Sequence, residues 1–231
     1  MILYTVTGGK YFPAAESFND NSRRSVYVNL TNRCNNDCPF CLRNKKIMSP
    51  EKSLWLDKEP HFGEIKAELD ALNWDLVKEI VFCGFGEPTI RLTELTMSLT
   101  YIKATHPQIS TRLNTNGLGN LEHGRNIVLD FENLLDVVSI SLNASTPERY
   151  LKITRSKFGL QAFNAMLTFA ELMEIYVPQV IMTVVDKVTP PDEIDACRKI
   201  FNFRKSPNLP RILYENFNIG KPFVKFSKIF L

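Results

Sequence analysis

Short apolar runs alternate with longer stretches of helical periodicity along most of this chain. Residues 25–30 (Ser-Val-Tyr-Val-Asn-Leu) form a first strand-like run, and residues 79–83 (Glu-Ile-Val-Phe-Cys) read as a second, buried strand. A third follows at 109–113, a fourth at 134–143 and a fifth at 180–185, with 211–214 as a sixth candidate. Between them Ile65, Leu69, Leu72 and Leu76 recur at helical spacing over 63–76, and a helix is predicted over 92–105. Phe163, Met166, Leu167, Ala170 and Met173 mark another over 160–175, and 191–201 opens on Pro191 at its first turn. Strands that alternate with helices predict βαβ units and a parallel sheet, hence an α/β fold. An eight-strand barrel takes ~250 residues, more than five strands and a sixth candidate require.

Two segments lack this rhythm. Residues 1–24 end in a polar, turn-rich stretch. Their apolar residues Ile2, Leu3, Val6, Tyr11 and Phe12 predict an N-terminal extension that packs on the mouth of a barrel and carries no chemistry. Residues 206–231 form an atypical tail to a core domain spanning 25–231. The tail combines Tyr214, Phe217, Phe223, Phe226 and Phe230 with Lys221, Lys225 and Lys228, and either closes the barrel or offers a partner surface.

Composition narrows the function classes. The chain has 231 residues, 44% hydrophobic and 23% charged, which is ordinary for one globular core. A net charge of +3 is too small to argue for nucleic acid. No apolar run approaches the ~20 residues of a membrane helix, and the first ten residues lack a leader pattern. Five cysteines, an odd and sparse count, exclude a disulfide framework and point to a reducing, cytoplasmic setting.

Chemistry concentrates where strands end. Directly after the first strand come Cys34, Cys38 and Cys41, spaced Cys-x3-Cys-x2-Cys. Iron–sulfur clusters are normally held by four cysteines. Three thiolates with no fourth nearby suit a four-iron cluster whose last iron is open to a non-protein ligand. A structural zinc site wants four protein ligands. Cys83 and Cys197 stand alone, reading as buried structural residues, and His61, His106 and His123 show no pair spacing, so a zinc-stabilised interaction protein is disfavoured. The basic group Arg43, Lys45 and Lys46 reads first as a solvated loop, otherwise as a contact for an anionic substrate or acidic electron donor. After the second strand stands Gly84-Phe85-Gly86-Glu87-Pro88, a turn that lets backbone approach a ligand, and after the third Asn114-Thr115-Asn116-Gly117. In the fourth, Ser139 and Ser141 share one face. Carboxyl ends of strands are where ligands bind in such folds.

Cys34, Cys38 and Cys41, with Phe40 just before the last, are similar to the signature of the radical S-adenosylmethionine (SAM) superfamily. The resemblance implies a partial (β/α)6 TIM-like barrel, a [4Fe-4S] cluster on the three cysteines, and SAM chelating the open iron through its amine and carboxylate. It implies reductive cleavage of SAM to a 5′-deoxyadenosyl radical that abstracts hydrogen from an unknown substrate. Phe40 would lie against adenine. Gly84, Gly86 and Glu87 resemble the family's Gly-Gly-Glu-Pro element, although Phe85 stands where its first glycine would be, and Glu87 would meet the SAM amine. Asn114 and Ser141 would approach the ribose or methionyl part, while Arg91 either meets the SAM carboxylate or begins the helix after it. The wording around these motifs resembles the small TatD-associated radical SAM proteins. Residues 147–155 resemble a stretch of the molybdopterin-precursor cyclases, which carry a further domain with a second cluster for which this chain has neither the cysteines nor the length. The resemblance implies a reducing donor such as flavodoxin or ferredoxin, a functional link to a TatD-type nuclease, and a small-molecule, nucleotide or protein substrate. No catalytic residue follows from it. A cluster-bearing electron-transfer or binding module that does not cleave SAM is the alternative.

Overall fold

The computed structural model describes residues 1–18, 21–44, 54–185 and 188–203. Within them seven strands form one sheet in the order β2-β1-β3-β4-β5-β6-β7. Strands β3 (Arg24–Val28), β4 (Val77–Phe82), β5 (Ser110–Thr115), β6 (Val137–Ser141) and β7 (Gln179–Thr183) are parallel and follow one another in chain order. Their crossovers carry α1 (Phe62–Asp70), α2 (Leu92–Thr105), α3 (Gly119–His123), and α4 (Pro147–Thr154) with α5 (Gln161–Tyr176). Helix α6 (Pro191–Phe203) follows β7. Successive parallel pairing without a reversal makes this an α/β partial TIM-like barrel, unclosed among the described residues.

Residues 1–24 contribute a hairpin. Strands β1 (Leu3–Thr7) and β2 (Lys10–Pro13) are antiparallel to each other, and β1 continues the sheet by pairing antiparallel with β3. The predicted helix over 63–76 ends at Asp70, because a separate 3-10 turn, Trp74–Leu76, feeds the chain into β4. The strand predicted over 134–143 is shorter. Beyond Ser141 the Leu142 amide donates to the Thr183 carbonyl at 2.8 Å, and the Asn143 amide to the same oxygen at 3.3 Å. The sixth strand candidate at 211–214, the tail at 206–231, and Lys45 and Lys46 lie outside the described residues.

The main core lies between the sheet and its helices. Ile80, Phe82, Leu113 and Ile140 meet Leu95, Leu99, Phe131 and Phe169, all essentially buried. Fully burying a side chain of this size is worth about 1.5–3 kcal/mol. A second, smaller cluster joins Tyr4 and Tyr11 of the hairpin to Leu42, Leu54 and Phe85. It ties the hairpin to the loops at the carboxyl ends of β3 and β4, where the chemistry-bearing motifs meet.

Candidate active site

The loop after β3 is held by its own polar residues. The Asn29 amide nitrogen Nδ2 donates to the Leu54 carbonyl at 2.5 Å. Asn32 both accepts from the Leu56 amide (3.0 Å) and donates to its carbonyl (2.7 Å), so the returning chain is pinned beneath the cysteines. The Asp37 amide donates to the Thr154 carbonyl at 2.9 Å, and the Lys157 amide to the Asn35 carbonyl at 2.9 Å, fixing the loop to the end of α4. Arg43 is no solvated bystander: its guanidinium donates to the carbonyls of Asn32 (3.1 Å) and Asn36 (3.0 Å), closing the loop on itself.

These contacts bring the loops after β3, β4, β5 and β6 to one pocket. Cys34, Cys38 and Cys41 line it, together with Phe40 between the last two. Gly84, Gly86 and Glu87 come from the loop after β4, Asn114 from β5 and Ser141 from β6. These nine residues therefore meet in one place, while Arg91, the other candidate SAM contact, does not join them. The pocket also holds Asn36, Asn116 and Asn143, which sequence reasoning did not assign. The signal for Asn116 was present in the Asn-Thr-Asn-Gly turn, where Gly117 adopts φ +75°, a conformation that favours glycine.

Glu87 is the centre of the polar wall. Its Oε1 accepts from the Thr89 amide (3.1 Å), the Thr89 hydroxyl (2.8 Å) and the Thr115 hydroxyl (2.7 Å). Its Oε2 accepts from the Asn116 amide at 2.8 Å, and among the described residues from that donor alone. Oε1 is crowded by three donors, whereas Oε2, with one, keeps its second lone pair free for a further donor. Burial raises the Glu87 pKa, and these hydrogen bonds pull it only part of the way back. A cationic ligand at Oε2 would relieve that penalty.

The thiols show the same need. Burial, with Glu87 nearby, pushes Cys34 up to about 11, and burial with the neighbouring thiols pushes Cys38 up to about 12. Buried thiolates are unfavourable without positive charge, and metal coordination supplies it. Among the described residues no three His, Cys, Asp or Glu side chains converge closely enough to hold one metal ion.

A sequence profile described as the radical SAM superfamily matches residues 28–200, most of the chain. The chain belongs to the radical SAM superfamily. Its similarity extends to GTP 3′,8-cyclase from Corynebacterium glutamicum, at 30% identity over 174 residues, covering 71% of this chain and 43% of that protein. It extends also to GTP 3′,8-cyclase from Synechocystis sp., at 34% identity over 129 residues, covering 53% of this chain and 35% of that one. The chain thus spans less than half the length of these curated relatives. In fold it is similar to the crystal structure of a radical SAM methyltransferase from Sphaerobacter thermophilus, with a TM-score of 0.55 at 17% identity, covering 84% of this chain and 60% of that one. Radical SAM enzymes use a [4Fe-4S] cluster and SAM, and they require a reductant and a substrate. No helix among the described residues is long and apolar enough to cross a membrane.

The residues present fit that cofactor pair. Three thiols, a carboxylate with an open acceptor site and an aromatic ring share one pocket. Arg91 stands apart from this radical SAM pocket. It pairs with Glu94 (2.6 Å) and Glu59 (2.9 Å) and donates to the Pro60 carbonyl at 3.0 Å, which assigns it to the start of α2. Glu59 was not legible in the sequence. It also takes Arg33 through two 2.7 Å hydrogen bonds and the Thr31 hydroxyl, so it anchors the residues leading into Cys34. Burial alone would raise Glu59, but the hydrogen bonds from Arg33 and Thr31 and the Arg91 charge outweigh it and hold the carboxyl down to about 2. A depressed carboxylate stabilises the fold above its unfolded value, and that stability is lost as pH falls from about 4.5 through 2. Acid unfolding followed by circular dichroism is expected to be shallower over this window in Glu59→Gln, which has no carboxylate to protonate.

Proposed function

We propose that Cys34, Cys38 and Cys41 ligate three irons of a [4Fe-4S] cluster and that Phe40, Gly84, Gly86, Glu87, Asn114 and Ser141 seat SAM beside the fourth. The observation that carries this reading is the meeting of all nine residues, drawn from four separate strand ends, in one pocket. With a low-potential reductant the cluster and SAM supply a 5′-deoxyadenosyl radical for hydrogen abstraction. The chain's own part is to hold and shield. Glu87 Oε2 receives the ligand's ammonium, Gly84 and Gly86 let the loop after β3 pack close against the loop after β4 so that the cysteines stand beside it, and Phe40 covers the adenine.

A second pocket shares Phe40 and Asn143 with the first and carries Arg149 and Lys152 from α4 with Asp192 and Glu193 from α6. A substrate entering there would reach the SAM pocket past Phe40. The charges lining it balance, with Arg149 paired to Glu193 and Asp192 on the same wall as Lys152, so a nucleotide-class substrate is supported only by the likeness to GTP 3′,8-cyclases. The wording of the motifs supports membership of the TatD-associated group, with a functional link to a TatD-type nuclease. A flavodoxin or ferredoxin as donor and a cytoplasmic location complete the reading.

Anaerobic reconstitution with iron and sulfide, then addition of reductant and SAM, tests it. The expected product is 5′-deoxyadenosine. A complete cluster whose spectrum ignores SAM and releases no nucleoside would identify an electron-transfer or binding module instead.

A further inference from the structure

Cys83 is not among the three thiols assigned to the cluster, yet it lines the same pocket at 3% exposure. It sits at the end of β4, immediately before the Gly84 turn. Asn114 lines the same pocket wall, and Tyr4 of the hairpin reaches the Cys83 backbone. The Tyr4 hydroxyl donates to the Cys83 carbonyl at 3.1 Å, which locks the phenol against this residue. Tyr4 is fully buried and does not stand alone. Its ring stacks on Tyr27 at 5.2 Å with planes 21° apart, and meets Tyr11 edge-on at 5.7 Å. Tyr27 is half-buried, so the array runs from the pocket wall toward the surface.

The Tyr4 hydroxyl has a structural task on the Cys83 carbonyl, but ring packing alone asks for no hydroxyl at Tyr11 or Tyr27. Phenylalanine at those two positions would fill the same space without bringing further phenol groups into the cluster. Thiols and phenols share a different property: each gives up a hydrogen atom to a carbon-centred radical far more readily than an aliphatic or amide group does. Both groups are kept in the protonated, hydrogen-bearing form. Burial raises Cys83 to about 12 and holds Tyr4 well above its ordinary value. Burial likewise pushes Tyr11 up to about 12.

We infer that Cys83 is a hydrogen-atom donor to radicals formed in this pocket, and that Tyr4 with Tyr27 and Tyr11 is the relay that restores it. The inference rests on the radical SAM reading above. In the first step the Cys83 S–H bond breaks and a C–H bond forms, quenching the carbon radical and leaving a thiyl. In the second the Tyr4 O–H bond breaks and S–H re-forms, leaving a phenoxyl radical that exchanges with its stacked neighbours. One electron from the enzyme's external reductant and one proton from solvent return the phenol. Cys83 touches the reacting atoms; the tyrosines act through it.

The test uses the reconstituted protein without added substrate, equilibrated in D2O so that the thiol carries deuterium, then given reductant and SAM. The nucleoside released is analysed by mass spectrometry, and a freeze-quenched sample by electron paramagnetic resonance. The wild-type protein is expected to release 5′-deoxyadenosine bearing one solvent deuterium and to show a tyrosyl signal. Cys83→Ala is expected to lose both the deuterium and the signal. Tyr4→Phe, which keeps the ring packing, is expected to lose the tyrosyl signal while its first turnover still transfers deuterium. Cys83→Ser serves where the alanine variant fails to assemble its cluster, as judged from the visible spectrum, because a hydroxyl of similar shape is a poor hydrogen-atom donor. Nucleoside released without solvent deuterium by the wild type, or with undiminished deuterium by both Cys83 variants, would overturn the inference and leave the radical SAM reading standing. Absence of any nucleoside would overturn both.

Discussion

Gly86→Ala is expected to destabilise the protein by about 3 kcal/mol and to leave it unable to hold a full complement of iron. A Cβ on Gly86 would lie 2.5 Å from the Arg33 carbonyl oxygen and 2.7 Å from Thr31 Cγ2, and closer still to the Thr31 carbonyl oxygen. Two of these three atoms are backbone, so no side-chain rotation relieves the clash. The Arg33 carbonyl also accepts the Glu87 amide at 2.8 Å, the hydrogen bond that joins the loop after β4 to the loop after β3. Moving it aside breaks that bond and shifts the residue directly before Cys34. In a domain of this size each kcal/mol lowers the melting midpoint by roughly 2–4 °C, so the variant is expected to melt some ~6–12 °C early. Gly63→Ala is the control. A Cβ there meets nothing within 4 Å, and the position lies in α1, where alanine is favoured by roughly 0.5–1 kcal/mol. Thermal unfolding of the two variants and iron analysis after reconstitution give the comparison. A Gly86→Ala protein that melts with the wild type and loads four irons would show that the two loops do not depend on this close approach.

The same junction marks what was legible in the sequence. The alternation of strand and helix was readable because each buried strand is a compact apolar run, as in Ile80, Val81 and Phe82, and each helix repeats its apolar residues along one face, as in α5. The three motifs could be joined because parallel strands put all their carboxyl ends on one side of the sheet. Partners distant in sequence were not readable. Glu59 organises Arg33, Thr31 and Arg91 from positions 26, 28 and 32 residues away, and no local pattern announces such a carboxylate. The hairpin was missed for a related reason. Its pairing with β3 is antiparallel, outside the βαβ rhythm, and is recognised only once β3 is in place. Phe85, an anomaly against a glycine motif, is explained by that hairpin. Its side chain, 9% exposed, packs with Tyr4, Tyr11, Leu42 and Leu54, so the loop after β4 gains an apolar anchor where a glycine would have none.

Glu87→Gln is expected to weaken SAM binding to the reconstituted protein by roughly 10- to 100-fold while leaving the fold intact. The amide oxygen can take the place of Oε1 and keep its three donors from Thr89 and Thr115. The amide nitrogen then faces the Asn116 N–H in place of Oε2, leaving one donor unpaired at a cost of about 1–3 kcal/mol. Against that loss stands the relief of a buried charge. Burial raises the folded-state pKa of Glu87, so the protonated form is favoured by folding. Its contribution to stability is therefore greatest below the unfolded carboxyl value of about 4.5 and is lost as pH rises through the higher, folded one. Glutamine carries no such dependence, so the variant gains on the ligand-free wild type as pH rises toward neutrality. Binding reverses the balance. An ammonium at Oε2 forms a charge-assisted hydrogen bond worth about 1.5–3 kcal/mol, which glutamine's amide nitrogen, itself a donor, cannot offer. That difference is the expected fold-change in affinity. Isothermal titration with SAM under anaerobic conditions, paired with unfolding curves at acid and neutral pH, measures both halves. Equal SAM affinity in the two proteins would remove Glu87 from the ligand's ammonium and return it to a role in capping the turn at Thr89.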